Sequence, residues 1–66
     1  MKKYIIFYMD RVLHELSDMP RASELPDGSY MYLSEERLWY QVFYGTYMPI
    51  SEPDVPQPLK LWLLLI

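Results

Sequence analysis

A chain of 66 residues with no cysteine and one histidine has neither a disulfide nor the ligands for an ordinary structural zinc site, so its stability must come from its core or from a second subunit. Apolar residues make up 52% of the chain and aromatics 17%, which excludes a disordered segment. The net charge is −3, and between Asp10 and Asp54 nine carboxylates are set against only Arg11, Arg21 and Arg37, a balance that repels a phosphate backbone.

The chain begins Met1-Lys2-Lys3 and continues Tyr4-Ile5-Ile6-Phe7-Tyr8-Met9, a charge-then-apolar order shared with secretory leaders. Asp10-Arg11 ends the run after six residues and no small-residue cleavage site follows, so a strand is expected instead. Within Lys3 to Met9 the six residues from Tyr4 on are apolar at odd and even positions alike, which predicts a strand that is central or covered on both sides. Residues 10–17 admit two structures. Asp10 is a good cap for a short helix with Val12, Leu13 and Leu16 on one face; alternatively Asp10-Arg11 turns the chain into a strand from Val12 to Leu16. The strand is favoured, since so short a helix is unstable without packing. Pro20 and Pro26-Asp27-Gly28 then mark an irregular connector over residues 17–28.

Residues 29–50 predict a three-stranded antiparallel meander. Leu33-Ser34-Glu35-Glu36-Arg37-Leu38 offers a polar four-residue loop between β-rich flanks. Tyr44-Gly45-Thr46-Tyr47 offers a two-residue turn with Gly first, as type II′ prefers. These turns set Leu33 opposite Leu38, Tyr32 opposite Trp39 and Met31 opposite Tyr40, then Tyr44 opposite Tyr47, Phe43 opposite Met48 and Val42 opposite Pro49. Because neighbours on a strand point to opposite faces, one face carries Met31, Leu33, Leu38, Tyr40, Val42, Tyr44, Tyr47 and Pro49. The other carries Tyr30, Tyr32, Trp39, Gln41, Phe43, Met48 and Ile50. Neither face is polar, so both need cover.

Pro49, Pro53, Pro56 and Pro58 mark a second connector, in which Asp54 is placed to cap one short helical turn. The tail Leu61 to Ile66 reads as an apolar strand or a buried extended arm. It is far shorter than the roughly 20 residues of a spanning helix, so a cytosolic protein without a transmembrane segment is expected.

Candidates for chemistry are few. His14 beside Glu15 suggests a base and its orienter, but adjacent strand residues point apart, and the five serines have no other partner of that kind. Glu35-Glu36 sits at a loop tip, where solvation explains it. Gly28 and Gly45 fit turns rather than a phosphate loop, and the acids lack calcium-loop spacing. The expectation is a non-enzymatic protein with no catalytic residues, no metal, no cofactor and no small-molecule substrate.

The aromatic face remains. Tyr30, Tyr32, Trp39 and Phe43 are able to stack bases, as in single-strand nucleic-acid binders, but those proteins add a basic groove, and here only Arg37 is near, beside Glu35 and Glu36. Trp, Tyr, Phe, Met and Arg are also the residues enriched at protein interfaces. Tyr30, Tyr32, Trp39, Phe43 and Met48, with Arg37 at the rim, are therefore the candidate partner-binding residues, and nucleic acid is the weaker alternative. Self-association as a homodimer is a further way to bury a spare face, and strand addition by the apolar tail another.

The strings Leu25-Pro26-Asp27-Gly28-Ser29-Tyr30, Arg37-Leu38-Trp39-Tyr40, Met48-Pro49-Ile50 and Asp54-Val55-Pro56 before an apolar end resemble short accessory proteins of tailed bacteriophages. The resemblance spans most of residues 25–66 and carries no functional residues with it. It implies a small protein acting in the cytoplasm of an infected bacterium, where it binds a host protein (a polymerase, nuclease or defence protein) and inhibits or redirects it. A structural minor subunit of a larger assembly is the other role open to such a chain. The fold expected on residues alone is one mainly β domain over residues 1–66: a small antiparallel sheet of the meander with N-terminal and C-terminal strands, and room for one short helix.

Overall fold

The apolar run after Lys3 does become an interior strand of a sheet. In a computed structural model, which describes residues 3–9 and 11–65, strand β1 (Tyr4–Tyr8) lies between β2 (Arg11–Leu16) and β3 (Tyr30–Leu33). Strands β4 (Leu38–Phe43) and β5 (Thr46–Ile50) complete a five-stranded antiparallel sheet in the order β2-β1-β3-β4-β5. Ile5, Ile6 and Phe7 are consecutive and all buried, which requires cover on both faces.

Residues 11–16 form the strand rather than the helix, paired with β1 and bulged so that Leu13 has no partner while Ile6 faces His14 and Phe7 faces Val12. Asp10, the proposed cap or turn residue, lies outside the described residues. Both free edges are guarded. β2 carries the bulge with exposed Arg11, His14 and Glu15, and β5 carries Pro49, which has no N–H to offer.

The β3–β4 register is the expected one, Tyr32 opposite Trp39 and Leu33 opposite Leu38, closed by a Ser34–Arg37 turn with Arg37 N–H donating to the Leu33 carbonyl at 2.8 Å. The second hairpin differs. Its two turn residues are Tyr44 and Gly45, with φ of 50° and 70°, so the turn is type I′ and not II′. Phe43 therefore pairs with Thr46, Val42 with Tyr47 and Gln41 with Met48. That is a slip of two positions from the expected pairing. A slip of one exchanges the faces; a slip of two leaves the paired side chains on the faces assigned to them, while Tyr44 passes from the strand into the turn.

The two faces are covered by different material. β2 and β3 both run antiparallel to the strand between them, so residues 17–29 must cross the sheet. The connector contains a 3-10 turn at Ala22–Glu24 and is tied to one face by Tyr47, whose hydroxyl donates to the Pro20 carbonyl at 2.7 Å. On that face Ile6, Met31 and Val42 are fully buried. Pro26-Asp27-Gly28-Ser29 closes as a turn, and Gly28 N–H and Ser29 carbonyl join Val42 by 2.8 Å bonds, leading the chain into β3.

The opposite face receives the C-terminal segment, and here the expected strand is wrong. After a 3-10 turn at Glu52–Asp54, residues Gln57–Leu65 form helix α1. Leu61-Trp62-Leu63-Leu64-Leu65 holds no β-branched residue and Leu is a strong helix former. Pro58 falls in the first turn, where its missing N–H costs nothing. Leu59, Trp62 and Leu63, at helical spacing, pack on Ile5, Phe7 and Trp39 together with Val55. Asp54 belongs to the 3-10 turn, where its carboxylate accepts from the Ser51 hydroxyl at 2.8 Å, instead of capping a following helix. Strand addition by the tail falls with the tail strand. Among the described residues no helix is long and apolar enough to cross a membrane.

Candidate interaction surface

Helix α1 divides the expected aromatic face in two. Trp39 is only 4% exposed, with its ring 5.5 Å from Phe7 and 4.8 Å from Tyr32 (centroid to centroid), in the cluster that α1 seals. Tyr30 and Tyr32 are half-buried against the same cluster. Trp39 is thus a core residue, and as a partner-binding anchor it is corrected: no partner reaches it without lifting the helix. Arg37 is exposed, but it sits in the β3–β4 turn at the opposite end of the sheet from the β4–β5 turn.

Phe43 and Met48 remain open, 41% and 48% exposed. Both face the α1 side, diagonal to each other across β4 and β5, and so within reach of one contact. Between them in the chain stands Tyr44, which the sequence did not single out. It is 93% exposed and holds φ of 50°, the left-handed region. That conformation costs a residue with a β-carbon about 1–2 kcal/mol, and type I′ turns ordinarily spend Asn, Asp or Gly there. Gly45 takes the second left-handed position and runs beside Ser23, whose backbone lies 3.6 Å from where a Cβ would stand.

The turn is held from outside as well. Tyr44 N–H donates to Asp27 Oδ1 at 2.8 Å, tying the tip to the Pro26–Ser29 turn. On β5, the Tyr47 phenol stays protonated above its ordinary range, chiefly because burial disfavours the phenolate and secondly because Glu24 is close. The sequence signal for this tip was Tyr44-Gly45 itself, read one residue too late.

Other regions are less equipped. An open hollow of about 600 Å³ runs beside the β1–β2 turn, lined by Tyr8, Met9, Arg11, Val12 and Leu13, too open to exclude water. Among the described residues no three His, Cys, Asp or Glu side chains converge to hold a metal ion. On the outer side of α1, Leu61, Leu64 and Leu65 form a second stripe at helical spacing, with Leu64 81% exposed. Comparison with family models, with curated proteins and with solved structures returns no match.

Proposed function

We propose that this chain is a non-enzymatic protein-binding module that docks through the β4–β5 end of its sheet, with Tyr44 as the central contact and Phe43 and Met48 beside it. The observation that carries this is Tyr44: a large aromatic, almost wholly exposed, in a costly backbone conformation and tied by its N–H to the neighbouring Pro26–Ser29 turn. Strain of that kind tends to persist where function uses it. A rigid aromatic knob also loses little entropy on docking, which favours affinity. The guarded sheet edges favour side-chain docking over strand pairing. Trp39 and Tyr32 beneath α1 weigh against a base-stacking platform for single-stranded nucleic acid.

The likeness to accessory proteins of tailed bacteriophages supplies the partner class, a host protein whose surface is blocked or redirected. The test is affinity capture from a bacterial host lysate with wild type and with Tyr44→Asn. A protein retained at equal stoichiometry by the wild type and lost from the variant is expected, since removing an interface anchor costs about 2 kcal/mol or more of binding. Equal capture by both removes Tyr44 from the interface.

Self-association is the second reading, and the outer stripe of α1 favours it. Sedimentation velocity decides: a dimer that Leu64→Glu converts to monomer supports it, and a wild-type monomer at high micromolar concentration ends it.

A further inference from the structure

From the charges around the tip, we infer that the surface at Tyr44 takes a basic protein segment, an arginine side chain lying on the Tyr44 ring with the Asp27 carboxylate at its base. This rests on the protein-binding reading above and adds the chemistry of the partner. Asp27 is held at the tip by its 2.8 Å bond from Tyr44 N–H, which engages one carboxylate oxygen and leaves the other for an incoming donor. Glu24 brings a second negative charge to the same hairpin, close enough to act on Tyr47. Arg21 opens the turn that contains Glu24 and, among the described residues, is the one base in this part of the fold.

The other described bases lie elsewhere. Lys3 pairs with Glu15 at 3.3 Å, Arg37 is in the turn at the far end of the sheet, Lys60 is on α1, and Arg11 starts the opposite edge strand. The tip therefore offers an exposed aromatic face beside a carboxylate brought to it by the neighbouring Pro26–Ser29 turn. A guanidinium satisfies both, stacking on the ring while its N–H groups reach the carboxylate. An ammonium has no plane to stack, so arginine is preferred to lysine.

The experiment titrates the isotope-labelled full chain with three synthetic peptides at physiological salt: an Arg-Gly repeat, the same peptide with lysine, and the same with citrulline, which keeps the shape and removes the charge. The Arg peptide is expected to shift the amides of Ser23, Asp27, Tyr44 and Gly45, and to bind about fivefold more tightly than the citrulline peptide. Asp27→Asn keeps the acceptor for Tyr44 N–H while removing the charge, and should weaken Arg-peptide binding about threefold or more. Tyr44→Asn should weaken it further with the fold retained. If the citrulline peptide binds the tip as tightly, the basic-partner inference fails and the protein-binding reading stands. Arg-peptide shifts confined to Glu35 and Glu36 also overturn it. If no peptide moves the tip and lysate capture is indifferent to Tyr44→Asn, both fail together.

Discussion

Trp39 and Tyr44 belong to the same hairpin arm, and the two rings meet opposite surroundings. Trp39 lies near the start of β4, under α1, and is sealed between Phe7, Tyr32 and the helix. Tyr44 lies beyond the reach of a nine-residue helix, in a turn whose backbone turns its ring away from the core. Residue type does not distinguish them, since both are large amphipathic aromatics. Position relative to one short helix does. In a domain this small the cover is local, so the apolar residues it misses form a surface instead of a larger core.

The largest expected effect breaks the buried side. Trp39→Ala removes the ring on which Phe7, Tyr32 and α1 converge, and should cost about 3–5 kcal/mol in urea unfolding. For a chain of this size that approaches the whole stability. A loss under about 1 kcal/mol would mean that α1 does not seal this face.

A smaller effect tests the connector on the other face. Tyr47→Phe removes the bond to the Pro20 carbonyl and should cost about 1 kcal/mol. The same phenol makes stability depend on alkaline pH. Its folded pKa is raised above the ordinary value of 10.0, so above that pH the unfolded chain releases the proton first. Stability should hold below about pH 10 and fall as pH rises from there to the folded value. In Tyr47→Phe that part of the alkaline loss should vanish.

An effect of similar size has the opposite sign and sharpens the contrast. Tyr44→Asn relieves the left-handed strain without touching the core, and should raise stability by about 1 kcal/mol, a gain of roughly 4–8 °C in Tm for a domain of this size. Asn-Gly is the strongest type I′ pair. A variant more stable than the natural chain, yet weaker in binding, is the signature of a residue kept for contact.

Much of the fold was legible because it rests on local pattern. The unbroken apolar run at 4–9 required a central strand, and the polar Ser34–Arg37 loop set the β3–β4 register. The tail was misread because Leu-Trp-Leu-Leu-Leu is apolar at every position, which suits a buried strand and a two-sided helix alike; the sheet face awaiting cover selected the helix. The hairpin was misphased because Gly45 was given the first left-handed position, and a tyrosine was not expected to hold it. Of the expected site, Phe43 and Met48 survive as surface because their face was assigned correctly. Trp39 does not, because burial depended on where α1 lands.

The most direct test is photochemically induced nuclear polarisation with a flavin dye, which reports which Tyr and Trp rings meet solvent in the folded chain. A strong Tyr44 signal with Trp39 silent is expected. Trp39 polarised as strongly as Tyr44, or Tyr44 silent in the free protein, would contradict the division of the sheet into a sealed centre and a presented tip.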